Sequence, residues 1–123
     1  MKTCLIVDDS KVIRKVARHI LETLEFEVDE AGDGQEALTR CEEKMPDVVL
    51  LDWNMPVMTG IDFVKAVRAD EAYDAMKVVM VTSETAFEHL EEALKQGANE
   101  YVMKPFTAEI LADKMALVMT QGA

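Results

Sequence analysis

VVLLDWNMP, residues 48–56, decides the fold. Val48, Val49, Leu50 and Leu51 form an apolar run with no polar alternation, the pattern of a strand covered on both faces. Such strands occur in parallel sheets with helices above and below. The run ends on Asp52, then the chain's single tryptophan, Trp53, then Asn54-Met55-Pro56. Carboxylates are rarely buried without a partner, so an acid at the end of a core strand calls for an explanation.

Working outward, the same alternation of strand and helix recurs on both sides. Thr3 to Val7 is a short apolar run. Ile13, Val16, Ala17, Ile20, Leu21 and Leu24 then repeat at helical spacing, with Ser10 as a cap. Phe26 to Glu30 alternates like a half-exposed strand, and Gly32-Asp33-Gly34 turns into a second helix carrying Ala37, Leu38 and Cys41, which stops before Pro46. After the central strand, taken as Asp47–Leu51, Gly60 opens a third helix with Ile61, Val64 and Val67 inward. Val78 to Val81 is a fourth strand. Phe87, Leu90, Ala93 and Leu94 stripe a fourth helix that Gly97 ends. Glu100 to Met103 is a fifth strand, and Ile110, Leu111, Met115 and Val118 mark the last helix. Five strand–helix units predict an α/β fold: a doubly wound, five-stranded parallel sheet in which the helices serve as crossovers. Ligands of such sheets bind beyond the carboxyl ends of the strands, where the strand order reverses.

The residues that end the strands gather on that edge: Asp8-Asp9 after the first, Asp52 after the third, Thr82-Ser83 after the fourth, Lys104-Pro105 after the fifth. Taken singly, the acids could cap a helix and Lys104 could simply pair with Asp52. Together, three carboxylates must raise a pKa or bind a cation. Hard oxygen ligands suit Mg²⁺, which keeps several waters and leaves room for a phosphoryl group. A carboxylate can attack phosphorus, with the metal, the lysine and the threonine sharing the charge on the phosphoryl oxygens. The chemistry read from the residues is a Mg²⁺-dependent carboxylate nucleophile.

Composition narrows the partners. The chain has 123 residues, half of them hydrophobic and 30% charged, with a net charge of -11. That charge repels phosphate backbones and anionic lipid, so neither nucleic acid nor membrane is an expected partner. The first residues lack a signal-peptide layout and no apolar run is long enough to span a bilayer, so a cytoplasmic location is expected. Cys4 and Cys41 sit among apolar residues without metal-type spacing and read as reduced core residues.

Four blocks, VDDS (Val7–Ser10), LLDWNMPVMTG (Leu50–Gly60), VMVTSE (Val79–Glu84) and GANEYVMKPFT (Gly97–Thr107), resemble the receiver domains of bacterial response regulators, most closely the single-domain chemotaxis members. The resemblance runs the whole chain, so residues 1–123 are expected to be one receiver domain. It implies the flavodoxin-like strand order 2-1-3-4-5, which periodicity alone does not yield. It implies further that Asp52 accepts a phosphoryl group from the phosphohistidine of a sensor kinase or phosphotransfer protein. Mg²⁺ would be held by Asp9, by Asp52, by the Asn54 backbone carbonyl and, through water, by Asp8. Thr82 and Lys104 would contact the phosphoryl oxygens, and the Lys104–Pro105 bond would be cis. Thr82 would then shift and Tyr101 turn inward, changing the face of the fourth helix, fifth strand and fifth helix that a target protein reads. Asn54 and Glu84, two residues past Asp52 and Thr82, would tune hydrolysis of the acyl phosphate and give a short-lived signal. No effector sequence follows Ala123, so a stand-alone regulator acting by binding is expected, either as a monomer or as a dimer formed on phosphorylation.

The fourth helix carries Glu84, Glu88, Glu91 and Glu92, read as a solvated face, which speaks against the motor target of chemotaxis members. Two other functions are weighed. A Mg²⁺-dependent phosphohydrolase also uses an aspartate nucleophile but places a second aspartate two residues on, where this chain has Asn54. A flavin-binding domain needs a phosphate loop rich in glycine or hydroxyls after the first strand, where Asp8-Asp9 would repel the phosphate.

Overall fold

The computed structural model describes residues 1–83 and 87–120, the side chains of 87–89 excepted. Its elements are β1 (Thr3–Val7), α1 (Lys11–Thr23), β2 (Glu27–Ala31), α2 (Gly34–Glu43), β3 (Val48–Asp52), α3 (Gly60–Arg68), β4 (Lys77–Thr82), α4 (Phe87–Gln96), β5 (Glu100–Met103) and α5 (Ala108–Met119), with a 3-10 turn at Glu71–Tyr73. All strand pairs are parallel and the sheet order is β2-β1-β3-β4-β5. This is the expected doubly wound sheet in the expected order. The central strand begins and ends one residue later than its sequence reading, so Asp52 itself pairs, opposite Val81.

Two cores flank the sheet. On one side α1 and α5 cover Cys4, Ile6, Val48, Leu50, Val79, Val81 and Val102. On the other, α2, α3 and α4 cover Leu5, Val7, Val49, Leu51, Val78 and Met80. All five residues of β3 are buried, which is why its sequence lacks polar alternation. Burying each Val or Leu side chain stabilises the fold by roughly 1.5–3 kcal/mol, so β3 is where the two cores are joined most firmly.

The helices start where the sequence supplies caps. The side chains of Ser10, Asp33, Thr59 and Thr107 accept the backbone N–H three residues on, at 3.3, 2.8, 3.2 and 3.1 Å. Each satisfies a donor that the first turn leaves open. Gly60 is required for a different reason: a Cβ there would lie 2.6 Å from the Asp52 carbonyl oxygen. The first turn of α3 therefore packs directly on the backbone of the acid, and Gly60 N donates to the Trp53 carbonyl at 3.1 Å.

Four apolar residues assigned inward by spacing stand outward instead: Val16, Leu24, Leu94 and Ile110 are each more than one-third exposed. They lie on the flanks of their helical stripes, or at a helix end, where the sheet beneath is too narrow to cover them. Among the described residues no helix is long and apolar enough to cross a membrane.

Both cysteines are free and buried. Burial pushes the Cys4 thiol up to about 12 and the Cys41 thiol to about 11, so neither forms the reactive thiolate near neutral pH. The native protein is expected to show no thiol titrating with a chromogenic disulfide at about pH 8, and to show two in denaturant. Rapid reaction of either thiol without denaturant contradicts this core.

Candidate functional site

Strand parity explains why the polar strand ends meet. Side chains alternate faces along a strand, and Val7 lies opposite Leu51, so Asp8 comes level with Asp52. Asp8 shares parity with Cys4 and Ile6, Asp52 with Val48 and Leu50, and Lys104 with Val102; all of these apolar residues pack in the α1–α5 core. The three charged groups therefore leave the sheet on one side. Lys104 Nζ lies 3.1 Å from Asp8 Oδ2 and 3.1 Å from Asp52 Oδ1. Asp9 completes the group: one oxygen from each of Asp8, Asp9 and Asp52 lies within 4.8 Å of the others.

Burial makes the arrangement costly. Asp8 is 3% and Asp52 6% exposed, while Asp9 is open to solvent. Burial first, and then the Asp8 charge, push the Asp52 carboxyl above the usual carboxylate range, and Lys104 offsets this only in part. For Lys104, burial works to lower the pKa, but the hydrogen bond to Asp8 and the charge of Asp52 outweigh it and hold the ammonium above its ordinary value. Three carboxylates against one ammonium leave two negative charges in excess.

The donor set fits a divalent cation. Oxygens about 2.1 Å from an octahedral Mg²⁺ stand roughly 3–4 Å apart, so acids already within 4.8 Å need close only slightly. The trio is hard, anionic and short of positive charge, and Asp9 gives it an open side. These residues could hold such an ion.

The loop bearing Asp8 and Asp9 is fixed from below. Asp8 Oδ1 accepts the Ser10 N–H at 2.8 Å, and Arg14 Nη1 donates to the Asp8 carbonyl at 2.6 Å. Arg14 Nε is held in turn by Glu30 of β2 at 3.0 Å, and Glu30 also takes Arg18 Nε at 2.6 Å. The two arginines hold the Glu30 carboxyl below its ordinary range although burial works against them. The sequence reading did not single out Arg14 or Glu30. They sit 16 residues apart, and nothing local marks them as partners.

The remaining residues implied by the resemblance fall as follows. Thr82 is 1% exposed at the end of β4, paired with Met103. Tyr101, opposite Met80 in the register, is half-buried against the α2–α3–α4 core, with Lys114 Nζ 4.6 Å from its ring centre. Thr82 and Tyr101 share the parity of Met80, the opposite side of the sheet from Asp52 and Lys104. Asn54 is exposed in the loop after β3. The Lys104–Pro105 bond is cis. Glu84 lies outside the described residues.

Comparison with known proteins settles the class. The chain belongs to the response regulator receiver domain family, which it matches over residues 4–116. It is 45% identical over 112 residues to the chemotaxis protein CheY of Pseudomonas aeruginosa, covering 90% of each chain, and 40% identical over 117 residues to CheY1 of Helicobacter pylori, covering 94% of each. Its fold matches a structure of the chemotaxis response regulator CheY4 of Vibrio cholerae with a TM-score of 0.91 at 42% identity, over 96% of this chain and 98% of that one. The protein is a CheY-like response regulator, and its function is phosphorylation-based signalling.

The strain at Asp52 gives a stability prediction. The folded carboxyl binds its proton more tightly than the unfolded one, so Asp52 costs stability as pH rises through its titration. Asp52→Asn removes the repulsion and keeps an acceptor for Lys104. It is expected to be more stable than the parent by about 1 kcal/mol at neutral pH without divalent ions, the gain shrinking in acid. Urea midpoints at about pH 7 and about pH 4 test this, and a variant less stable than the parent at neutral pH would contradict it.

Proposed function

We propose that Asp52 is the phosphoryl acceptor, charged by a phosphohistidine on a sensor kinase or phosphotransfer protein. One observation carries this reading: a buried carboxylate at the end of the central strand, tied through a lysine to a second acid and within reach of a third. In the transfer, an Asp52 oxygen attacks phosphorus, the O–P bond forms as the N–P bond breaks, and the imidazole nitrogen leaves with the pair of electrons. Lys104, already beside Asp52 Oδ1, moves its positive charge only slightly to meet the phosphoryl oxygens. Thr82, at the neighbouring strand end, offers a hydroxyl to the same oxygens. Asp9, Asp52, the Asn54 carbonyl and, through water, Asp8 would hold a Mg²⁺ ion, which would supply charge neutralisation for the incoming phosphoryl group.

The excess of two negative charges supports that metal and explains why the acceptor must share its site. Adding a phosphoryl group to Asp52 without a counter-charge would place further anionic oxygens beside Asp8. Hydrolysis of the acyl phosphate then resets the protein, with Asn54 and Glu84 governing water's approach. The protein turns over no external metabolite in this reading.

Output is by binding to a target protein on the α4–β5–α5 face. Leu94, Ile110 and Leu117 are exposed there. Tyr101, under Lys114, lies on the same edge, and Lys114 is itself paired with Glu100 at 3.1 Å. Thr82 and Tyr101 leave adjacent strands on one side of the sheet, so a shift of Thr82 toward a phosphoryl group opens room on the side where Tyr101 packs.

Acetyl phosphate with Mg²⁺ is expected to add one phosphoryl group to the intact mass, and Asp52→Asn to add none. Mg²⁺ alone should change the emission of Trp53, the single tryptophan and the residue after Asp52. Sustained release of phosphate from a phosphate ester, or labelling that persists in Asp52→Asn, would sink this reading.

A further inference from the structure

Arg14, near the start of α1, joins two unlike acceptors. Its Nη1 donates to the Asp8 carbonyl at 2.6 Å and its Nε to Glu30 Oε1 at 3.0 Å. Glu30 belongs to β2 and lies opposite Ile6 in the register. It therefore leaves the sheet on the side that α1 covers, as Asp8 does two residues beyond Ile6. Val28, on that same side of β2, packs against the apolar core beneath α1 and α5. At Glu30 the covered side instead carries an acid whose side chain is only 26% exposed. Docking the helix needs no charge there, since an apolar residue would serve. Arg68 of α3 shows the contrast. Its guanidinium donates to the Gly97, Tyr73 and Met76 carbonyls and to Asn99 Oδ1, all neutral oxygens, at the opposite edge of the sheet from the acids.

The carbonyl that Arg14 holds matters because of the residue across its peptide bond. Asp8 has other anchors: its N–H donates to the Ala31 carbonyl at 3.2 Å, its Oδ1 accepts the Ser10 N–H at 2.8 Å, and its Oδ2 meets Lys104 at 3.1 Å. Asp9 is open to solvent, so the direction of its side chain depends on its backbone. A peptide is planar, and the Asp8 carbonyl and the Asp9 N–H turn as one unit. Holding that carbonyl keeps Asp9 aimed at the other two acids, with one oxygen of each within 4.8 Å of the others. Charge alone works the other way, because a bare guanidinium beside a cation site weakens cation binding. Glu30 offsets that charge, and its second oxygen is pinned by Arg18 Nε at 2.6 Å.

We propose that Arg14 and Glu30 set the affinity of the acidic trio for Mg²⁺, Arg14 by holding the Asp8–Asp9 peptide and Glu30 by aiming Arg14. Both are positioning residues, since neither reaches the reacting atoms. The proposal rests on the reading of the trio as a Mg²⁺ site. A ligand held in place beforehand needs no ordering when the ion arrives. An edge strand that contributes no ligand thereby governs how much Mg²⁺ the phosphoryl transfer requires.

Mg²⁺ titrations at constant ionic strength, followed by Trp53 emission and by calorimetry, test this. Arg14→Lys keeps the charge but loses the rigid fork that bonds two acceptors at once. Glu30→Asp keeps the charge and is one methylene shorter. Each is expected to weaken Mg²⁺ binding by about tenfold. The double variant should lie within about twofold of the weaker single variant, because both residues act through one bond. Arg18→Lys, which alters the other contact of Glu30 without touching Asp8, should stay within about twofold of the parent. In the parent itself, the Arg14 Nε–H resonance should shift on adding Mg²⁺ by more than that of Arg18, a measurement that needs no variant to fold. The proposal is overturned if Arg14→Lys binds Mg²⁺ as the parent does, if Arg14→Lys and Arg18→Lys weaken it equally, or if the Arg14 resonance stays put while the ion binds. Fully additive losses in the double variant overturn the part given to Glu30. A parent that shows neither heat nor emission change overturns the Mg²⁺ site, and the positioning role with it.

Discussion

The structure turns on one ammonium group between two buried carboxylates. Lys104 reaches Asp8 and Asp52 at the same distance, 3.1 Å, and neither acid has enough water to carry its charge alone. A buried ion pair seldom adds net stability, because desolvating both groups cancels most of the attraction. Here the imbalance is greater, since a single lysine serves a trio of acids. A sequence selected for stability alone would fill these positions with apolar residues, as it does at Cys4–Val7 of β1 and Val48–Leu51 of β3. Keeping charge at the ends of the two innermost strands makes sense only where the excess serves chemistry, and the tension left in the folded state is what a divalent ion and a phosphoryl group would relieve.

Much of this was legible in the sequence because sheet physics is periodic and local. The run Val48–Leu51 named a doubly covered strand, and the strand–helix alternation named the architecture. Once every strand is parallel, all its terminal residues must share one edge, so Asp8, Asp9, Asp52, Thr82 and Lys104 could be brought together without any distance. Their division between the sheet's two sides was less accessible. It depends on the register between neighbouring strands, which no local pattern encodes. Strand order came from family resemblance, since no local periodicity encodes which strands are neighbours.

Long-range polar contacts were not legible. Arg14 and Glu30 looked like ordinary surface residues of a helix and a half-exposed strand, yet together they anchor the Asp8 carbonyl. Arg68 was not singled out in the sequence; its acceptors lie as far as 31 residues away. Val57 gave no warning either. It takes φ +70° within a tight turn in which Met58 N donates to the Pro56 carbonyl at 2.7 Å. A β-branched residue is a poor choice for that conformation, and the turn is imposed by the need to bring α3 back onto Asp52 through Gly60. The apolar flanks of the helices were misplaced for a related reason. Periodicity gives the direction of a stripe but not the width of the surface that receives it.

The two polar nodes, one at each end of the sheet's strands, have opposite characters. At the acidic end the groups are charged, crowded and only partly compensated by Lys104. At the Arg68 end each donor of the guanidinium that the geometry records meets a neutral oxygen, and Asn99 satisfies two elements at once. Rearranging that node means breaking several buried hydrogen bonds together, each left unmade at a cost of roughly 1–3 kcal/mol. Glycine at position 97 lets the chain reverse sharply at φ +119° and lets the Arg68 stem close against its bare Cα.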